Sequence, residues 1–211
     1  AARRDGPFRS VAELVRRAGI SRTVAARLAA ADAFGSMRLD RRQALWDVLA
    51  LREELPLWGG VEESEPAAAL PAMSVGQQVL ADYKTTGLSL TAHPVALFRR
   101  ELASHRVIQA AQLRRCRQGQ FVRVAGLVLV RQRPSTANGI VFVTLEDETG
   151  IANLILRPRI YERFRSMMGA CFWLAEGRVE RQGDVIHVQT TRIEGLGHRL
   201  SALHVASRDF H

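Results

Sequence analysis

The chain has 211 residues, 47% of them hydrophobic, and its 30 Lys and Arg outweigh 21 Asp and Glu to give a formal net charge of +9. No apolar run reaches the roughly 18 residues of a membrane span, no signal peptide opens the chain, and Cys116 and Cys171 form neither a disulfide framework nor a zinc-type spacing. The excess base is nearly all Arg, Lys84 being the only lysine, and a pI near 11.1 points to a polyanion partner or, more simply, to an Arg-rich coding bias.

Residues 8 to 55 read as helices. Ser10-Val11-Ala12-Glu13 has the form of a capping box, with Val11, Leu14, Val15 and Ala18 at helical spacing. Gly19 ends that helix and Ser21 caps the next, whose expected apolar face is Val24, Leu28 and Ala31. Asp40 caps a third, with Ala44, Val48, Leu51 and Leu55 on one face. Short helices joined by tight turns suit either a helix-hairpin-helix, which offers backbone N–H groups to phosphate, or an ordinary small bundle. Residues 56–73 read as a linker rich in Pro, Gly, Ala and Glu. Ser74 and Gln77 begin a further helix that runs to Gly87. Pro94, capped by His93, begins one more in a helical connecting segment spanning 74–118.

From Phe121 the period changes to two. "FVRVAGLVLVR" puts Val122, Val124, Gly126, Val128 and Val130 on one face, and a glycine in mid-strand predicts a kink or bulge. A loop, "RQRPSTANG", precedes the hairpin "GIVFVTLEDETGIANLIL". Pro158 starts a helix carrying Ile160, Phe164, Met167 and Met168. "CFWLAEGRVER", a turn at Gln182-Gly183-Asp184, and "VIHVQTTRI" complete the pattern. Three strands, a helix and two strands is the order of an OB-fold barrel. The expected class is α+β and multidomain: a helix-hairpin-helix-like part at 1–55, linker 56–73, connecting segment 74–118, OB-fold 119–196 and a tail at 197–211.

In the third strand Ala152, Leu154 and Leu156 point inward, while Ile151, Asn153, Ile155 and Arg157 point outward. In OB-folds the exposed face of strands two and three holds single-stranded nucleic acid. Candidate DNA contacts there are Arg131, Arg133, Asn138, Phe142, Asn153, Ile155, Arg157, Arg159 and Arg163. On the helices they are Arg16, Arg17, Gly19 and Arg22. Each arginine has a competing reading as a solvated surface group. Phe142 and Trp173 are candidate stacking platforms, with core packing the stronger reading for Trp173 and an equal one for Phe142. The acidic tip Glu146-Asp147-Glu148 reads as a tight turn that repels nucleic acid from the hairpin end. Three adjacent residues alternate in direction and cannot converge on one magnesium ion. No phosphate loop, HExxH, Cys/His pair or GxSxG is present, so no catalytic residue is assigned.

Three stretches carry a resemblance: "RRAGISRTVAARLAAADAFGSMRLDRRQALW", "DYKTTGLSLTAHP" and the hairpin quoted above, with "SRDFH" at the end. Together they resemble the C-terminal portion of bacterial C-family DNA polymerases (DNA polymerase III alpha-like), nearest the error-prone, damage-inducible ImuC type. The match covers nearly the whole chain. It implies a fragment of a DNA-directed polymerase used in translesion synthesis and induced mutagenesis in the SOS response. The family's catalytic aspartates lie upstream, so magnesium is expected for the parent and no cofactor for this fragment. Implied partners are single-stranded and primer-template DNA and an inactive Y-family-like polymerase, with the sliding clamp engaged indirectly. Replicative relatives continue into a further domain, and an end at His211 favours the error-prone branch. The chain, which lacks an initiator Met, is accordingly expected to be a piece of a longer cytoplasmic protein. Two rivals stand beside this: a protein-docking module of the mutagenesis complex, and an OB-fold module of another nucleic-acid enzyme.

Overall fold

The computed structural model describes residues 6–51, 70–196 and 208–210. It divides into two compact units, Ala1–Thr86 and Gly87–His211.

The first unit is helical: α1 (Val11–Ala18), α2 (Arg22–Ala30), α3 (Arg41–Ala50) and α4 (Val75–Thr86). Ser10, Ser21 and Asp40 cap the first three as their sequence positions predict, each accepting a backbone N–H three residues on. The reciprocal arm at α1 differs, because Glu13 takes the N–H of Arg9 at 2.7 Å and not that of Ser10. The core is Val11, Ala25, Ala29, Phe34, Ala44 and Val48. The expected face of α2 is therefore wrong. Val24 and Leu28 are exposed and the alanines point inward. Small residues let α2 and α3 approach closely, and the larger aliphatics have no room on that side. Ala18 is likewise exposed, and Leu55 and most of the 56–73 linker lie outside the described residues. Ser74 and Gln77 do form a reciprocal capping box on α4. Arg41, buried on α3, donates to the Gln78 carbonyl at 3.1 Å and pairs with Asp82, tying α4 to the helices before it. The division between units thus falls inside the segment 74–118.

The second unit begins with two short helical turns, a 3-10 turn Pro94–Phe98 leading into α5 (Arg99–Ser104), and a 3-10 helix Ala110–Arg115. The barrel follows: β1 (Phe121–Gln132), β2 (Val141–Asp147), β3 (Gly150–Leu156), α6 (Pro158–Arg163), β4 (Phe172–Gln182) and β5 (Val185–Gly195). The strands run in the order β2-β3-β5-β4-β1, and β1 pairs back onto β2, so the sheet closes as an OB-fold. β1 reaches both neighbours because it bends: Phe121–Leu127 pairs with β4 and Leu127–Gln132 with β2. The irregularity lies between Val128 and Val130, two residues beyond the expected glycine. Gly126 has another reason to be glycine, since a Cβ there would stand 2.5 Å from the Glu146 carbonyl oxygen of the crossing strand. Val124, Val128, Val143, Leu145, Leu154, Leu156, Trp173, Ala175 and Val188 fill the interior, and Phe164 and Met168 close one end. Met167 is exposed because the chain tightens to a 3-10 turn after α6. Within the expected tail, β6 (Arg208–Phe210) runs parallel to β1 at Val130–Gln132; 197–207 lie outside the described residues.

Candidate nucleic-acid interface

Strand register assembles the outer face of the barrel. Gln132 lies opposite Phe142, Phe142 opposite Ile155, and Ile155 opposite Gln189, a row across four strands. The next row is Val130, Thr144, Asn153 and His187. Residues directly opposite share a face, so Phe142, Asn153, Ile155 and Arg157 come together as the alternation predicts. Phe142 is half-buried on this outer surface and is not part of the core. Sequence reasoning missed Gln132, Thr144, His187 and Gln189. Only the register places them here, because β5 joins β3 in parallel across a long sequence gap. The Thr144 hydroxyl donates to the Asn153 side-chain oxygen at 3.2 Å. Arg157 donates through Nε and Nη2 to the Gln189 side-chain oxygen at 3.1 and 2.8 Å, the amide orientation in which both groups are satisfied.

Four predicted contacts belong elsewhere on the barrel. Arg131 lies opposite inward-pointing Val143, and its guanidinium stands 5.9 Å over the Trp173 ring. Trp173 is 0% exposed, so it is core and offers no platform to a base. Arg133 lies 5.3 Å over Tyr161, and Arg163 lies 5.4 Å over Phe164. These arginines, with exposed Arg159, surround the end of the barrel that α6 closes, not the β2–β3 face. Asn138 sits exposed in the loop with φ of 48°, a left-handed conformation that Asn tolerates.

In the helical unit Gly19 turns the chain with φ of 62° between α1 and Ser21. The backbone N–H groups of Arg22 and Thr23 open α2 and have no partner within the helix. Arg16 is exposed. Arg17 is committed within the fold: it pairs with Glu13 at 2.8 Å, donates to the Gly6 carbonyl at 3.1 Å and stacks 4.8 Å over Phe8. Arg22 donates to the Leu49 carbonyl.

The acidic tip is not the solvent-facing repulsive cluster that the sequence suggests. The Asp147 side chain is 1% exposed and accepts from Thr149 N–H and hydroxyl at 2.7 Å, Ala110 N–H at 2.8 Å and Arg99 Nη2 at 3.1 Å. Glu148 accepts from Arg99 at 2.5 and 2.9 Å and from Gln109 at 3.1 Å. Burial pushes the Glu148 carboxyl up, but hydrogen bonds from Arg99 and Gln109 outweigh it and hold the group below its ordinary value. His93 Nδ1 accepts the Val95 N–H at 3.2 Å, and its Nε2 lies 3.7 Å from Glu146. Burial depresses the imidazole further than the carboxylates of Glu146, Glu148 and Asp147 raise it. The Asp147 and Glu148 carboxylates therefore pin Arg99, Gln109 and Ala110 against the hairpin. Among the described residues no group of three or more His, Cys, Asp or Glu is arranged to hold a metal ion.

Residues 1–44 match the helix-hairpin-helix motif family. The whole chain is 51% identical over 212 residues to the error-prone DNA polymerase of Anaeromyxobacter sp. (strain K), covering 19% of that protein. It is 45% identical over 219 residues to error-prone DNA polymerase 1 of Rhizobium meliloti (strain 1021), covering 20% of it. The chain thus spans about a fifth of the length of these curated relatives. Among solved structures, asparaginyl-tRNA synthetase from Pyrococcus horikoshii complexed with asparaginyl-adenylate is 20% identical over 43% of this chain and 22% of that one, with a TM-score of 0.37, a likeness too slight to bear on function.

Proposed function

We propose that this chain, homologous along its whole length to the C-terminal region of error-prone DNA polymerases, is the part of such a polymerase that holds DNA away from the catalytic centre. In this reading the barrel binds single-stranded template on the rows containing Phe142 and Ile155, where a base stacks on the ring. The helical unit holds duplex backbone at the Gly19 turn through the N–H groups of Arg22 and Thr23 and the charge of Arg16. The parent protein carries the polymerase carboxylates and their magnesium in another region, works in translesion synthesis after DNA damage, and acts in the cytoplasm. The exposed faces left over would serve an inactive Y-family-like partner, through which the sliding clamp is reached.

The observation that carries the reading is the outer row Gln132–Phe142–Ile155–Gln189, an aromatic and aliphatic platform flanked by amides, in a chain of net charge +9. The test is a titration of the 211-residue chain against single-stranded and duplex DNA at several salt concentrations. Log affinity for the single strand should fall linearly with log salt, by about 0.7 per phosphate neutralised. Arg16→Glu should weaken duplex binding alike for all sequences while leaving the single-strand curve in place, because phosphate contacts carry no base information. Affinity for neither form, with saturable binding to the protein partner, would move the chain to the docking class. Primer extension by the chain alone would show that catalytic groups are present in it after all.

A further inference from the structure

The geometry points to a base preference built into the outer face of the barrel: Asn153 and Gln189 present amide nitrogens as fixed donors and so select bases with carbonyl oxygens on their edges, disfavouring adenine. This rests on the single-strand reading of the same face.

Both amides have their oxygens already in use. The Asn153 oxygen accepts the Thr144 hydroxyl at 3.2 Å. The Gln189 oxygen accepts both arms of the Arg157 fork, at 3.1 and 2.8 Å. The Asn153 NH2 has no partner among the described residues, and the Gln189 NH2, on the side of its amide away from Arg157, is the donor left to that residue. The two donors flank the platform: Gln189 lies directly opposite Ile155, and Asn153 lies two residues before Ile155 on the same strand. Ile155 in turn lies opposite Phe142. A base stacked on Phe142 and Ile155 therefore meets a donor along the row and another along the strand. Both residues are half-buried, so the donors are partly shielded from water.

An Asn or Gln amide recognises adenine by giving its NH2 to N7 and accepting the N6 amine on its oxygen. Here the Arg157 fork takes both lone pairs of the Gln189 oxygen and Thr144 takes one of the Asn153 oxygen, so that two-point contact cannot form at Gln189 and is weakened at Asn153. Thymine offers two acceptors, O2 and O4, to the same NH2 groups, and its one donor, N3–H, lies between them and is left to water. Arg157 is on this argument a positioning residue, held at the row's edge by the amide it orients.

The probes are oligo(dT) and oligo(dA) of equal length, titrated against the 211-residue chain, and the reading is the ratio of the two affinities in each variant relative to wild type. Self-stacking of oligo(dA) is common to all variants and drops out of that comparison. Gln189→Met keeps the volume and removes the donor, and should lower the preference for oligo(dT) by about fivefold, the effect of one hydrogen bond to a partly shielded site. Gln189→Glu keeps the Arg157 fork while turning the outward nitrogen into oxygen, and should lower the ratio at least as far. Thr144→Val frees the Asn153 oxygen, and should lower the ratio by tightening oligo(dA), a gain that general damage to the face would not produce. Oligonucleotides that bind with the same ratio in wild type, Gln189→Met and Thr144→Val would overturn the donor preference and leave the single-strand reading standing. No binding of either oligonucleotide would overturn both.

Discussion

At the scale of single residues, the two aromatics singled out in the sequence separate by parity along their strands. Phe142 lies opposite Gln132 and Ile155 on the outside of the barrel. Trp173 lies inside it, with Ala175 and Ile193 among its cluster neighbours. The sequence alone left Phe142 evenly balanced between surface and core, because Val141 and Val143 beside it are equally apolar and a ring fits either face. The outcome is measurable on two variants. Phe142→Ala should weaken single-strand binding about tenfold, in keeping with roughly 1–3 kcal/mol per stacked base, with little change in melting temperature. Trp173→Ala should cost about 3–5 kcal/mol of stability before any effect on binding is seen. A Phe142→Ala protein that melts like the Trp173 variant would mean the ring is a core group after all. The arginines were harder to read than the aromatics. Arg17 and Arg131 look in sequence like any other surface base, and nothing local reveals that one is pinned by Glu13 and the Gly6 carbonyl or that the other covers Trp173.

At the scale of elements, the hairpin's acidic tip is the piece whose role the sequence misassigned. Its turn was legible, since Asp147 bonds the Thr149 backbone as Asp does in tight turns. Its partners were not. Arg99 is 48 residues from Asp147, and no local pattern links them. Removing one partner of a buried pair leaves the other charge uncompensated. Arg99→Ala should therefore destabilise the second unit by about 3–5 kcal/mol, read as a shift in its denaturation midpoint. A loss no larger than that of an exposed Arg, such as Arg159→Ala, would show the clamp to be superficial. The same network makes a prediction about pH. The folded state holds His93 below its ordinary 6.5, chiefly by burial. It therefore binds fewer protons than the unfolded chain, and its contribution is intact above 6.5 and is lost as pH falls through the depressed value. Glu148, also depressed, gives up its contribution only below its ordinary 4.5. His93→Asn retains a side-chain oxygen to cap the turn but cannot titrate. Its melting temperature should stay level from pH 7.5 down to about 5.5, a window set by the His value, where the wild type declines. Parallel curves for the two proteins would assign the acid sensitivity to other groups.

At the scale of the whole molecule, the element order was sufficient to identify the barrel, because three strands, a helix and two strands leave few alternatives. The boundary before it was much less legible. Sequence periodicity changes at Phe121, which suggests a domain beginning near residue 119. Periodicity, however, reports only local structure, and the compact unit begins at Gly87. The segment before the barrel supplies core as well as the clamp. Ala110, Leu113 and Cys116 are part of the barrel's buried cluster, Ile108 bridges to Val124, and the Phe98 ring lies 6.3 Å from that of Phe172. Arg181 reaches back from β4 to the Cys116 carbonyl at 3.0 Å, fixing the last turn of the 3-10 helix against the sheet. Two truncations separate the readings. A chain of residues 87–211 retains every one of these contacts, and should fold cooperatively and keep the single-strand affinity of the parent. A chain of residues 119–211 has the complete set of strands but loses Arg99, leaving Asp147 buried without its cation and without the Ala110 N–H. Opening the Leu113 site adds a loss of the size seen for a large-to-small core change, about 2–5 kcal/mol, in a domain whose total stability is on the order of 5–15 kcal/mol. The shorter chain should therefore be largely unfolded at room temperature, visible as absent near-ultraviolet dichroism from the Trp173 environment. If it melts with the same midpoint as 87–211, the segment before the barrel is a passenger and the change in periodicity marks the true edge of the domain.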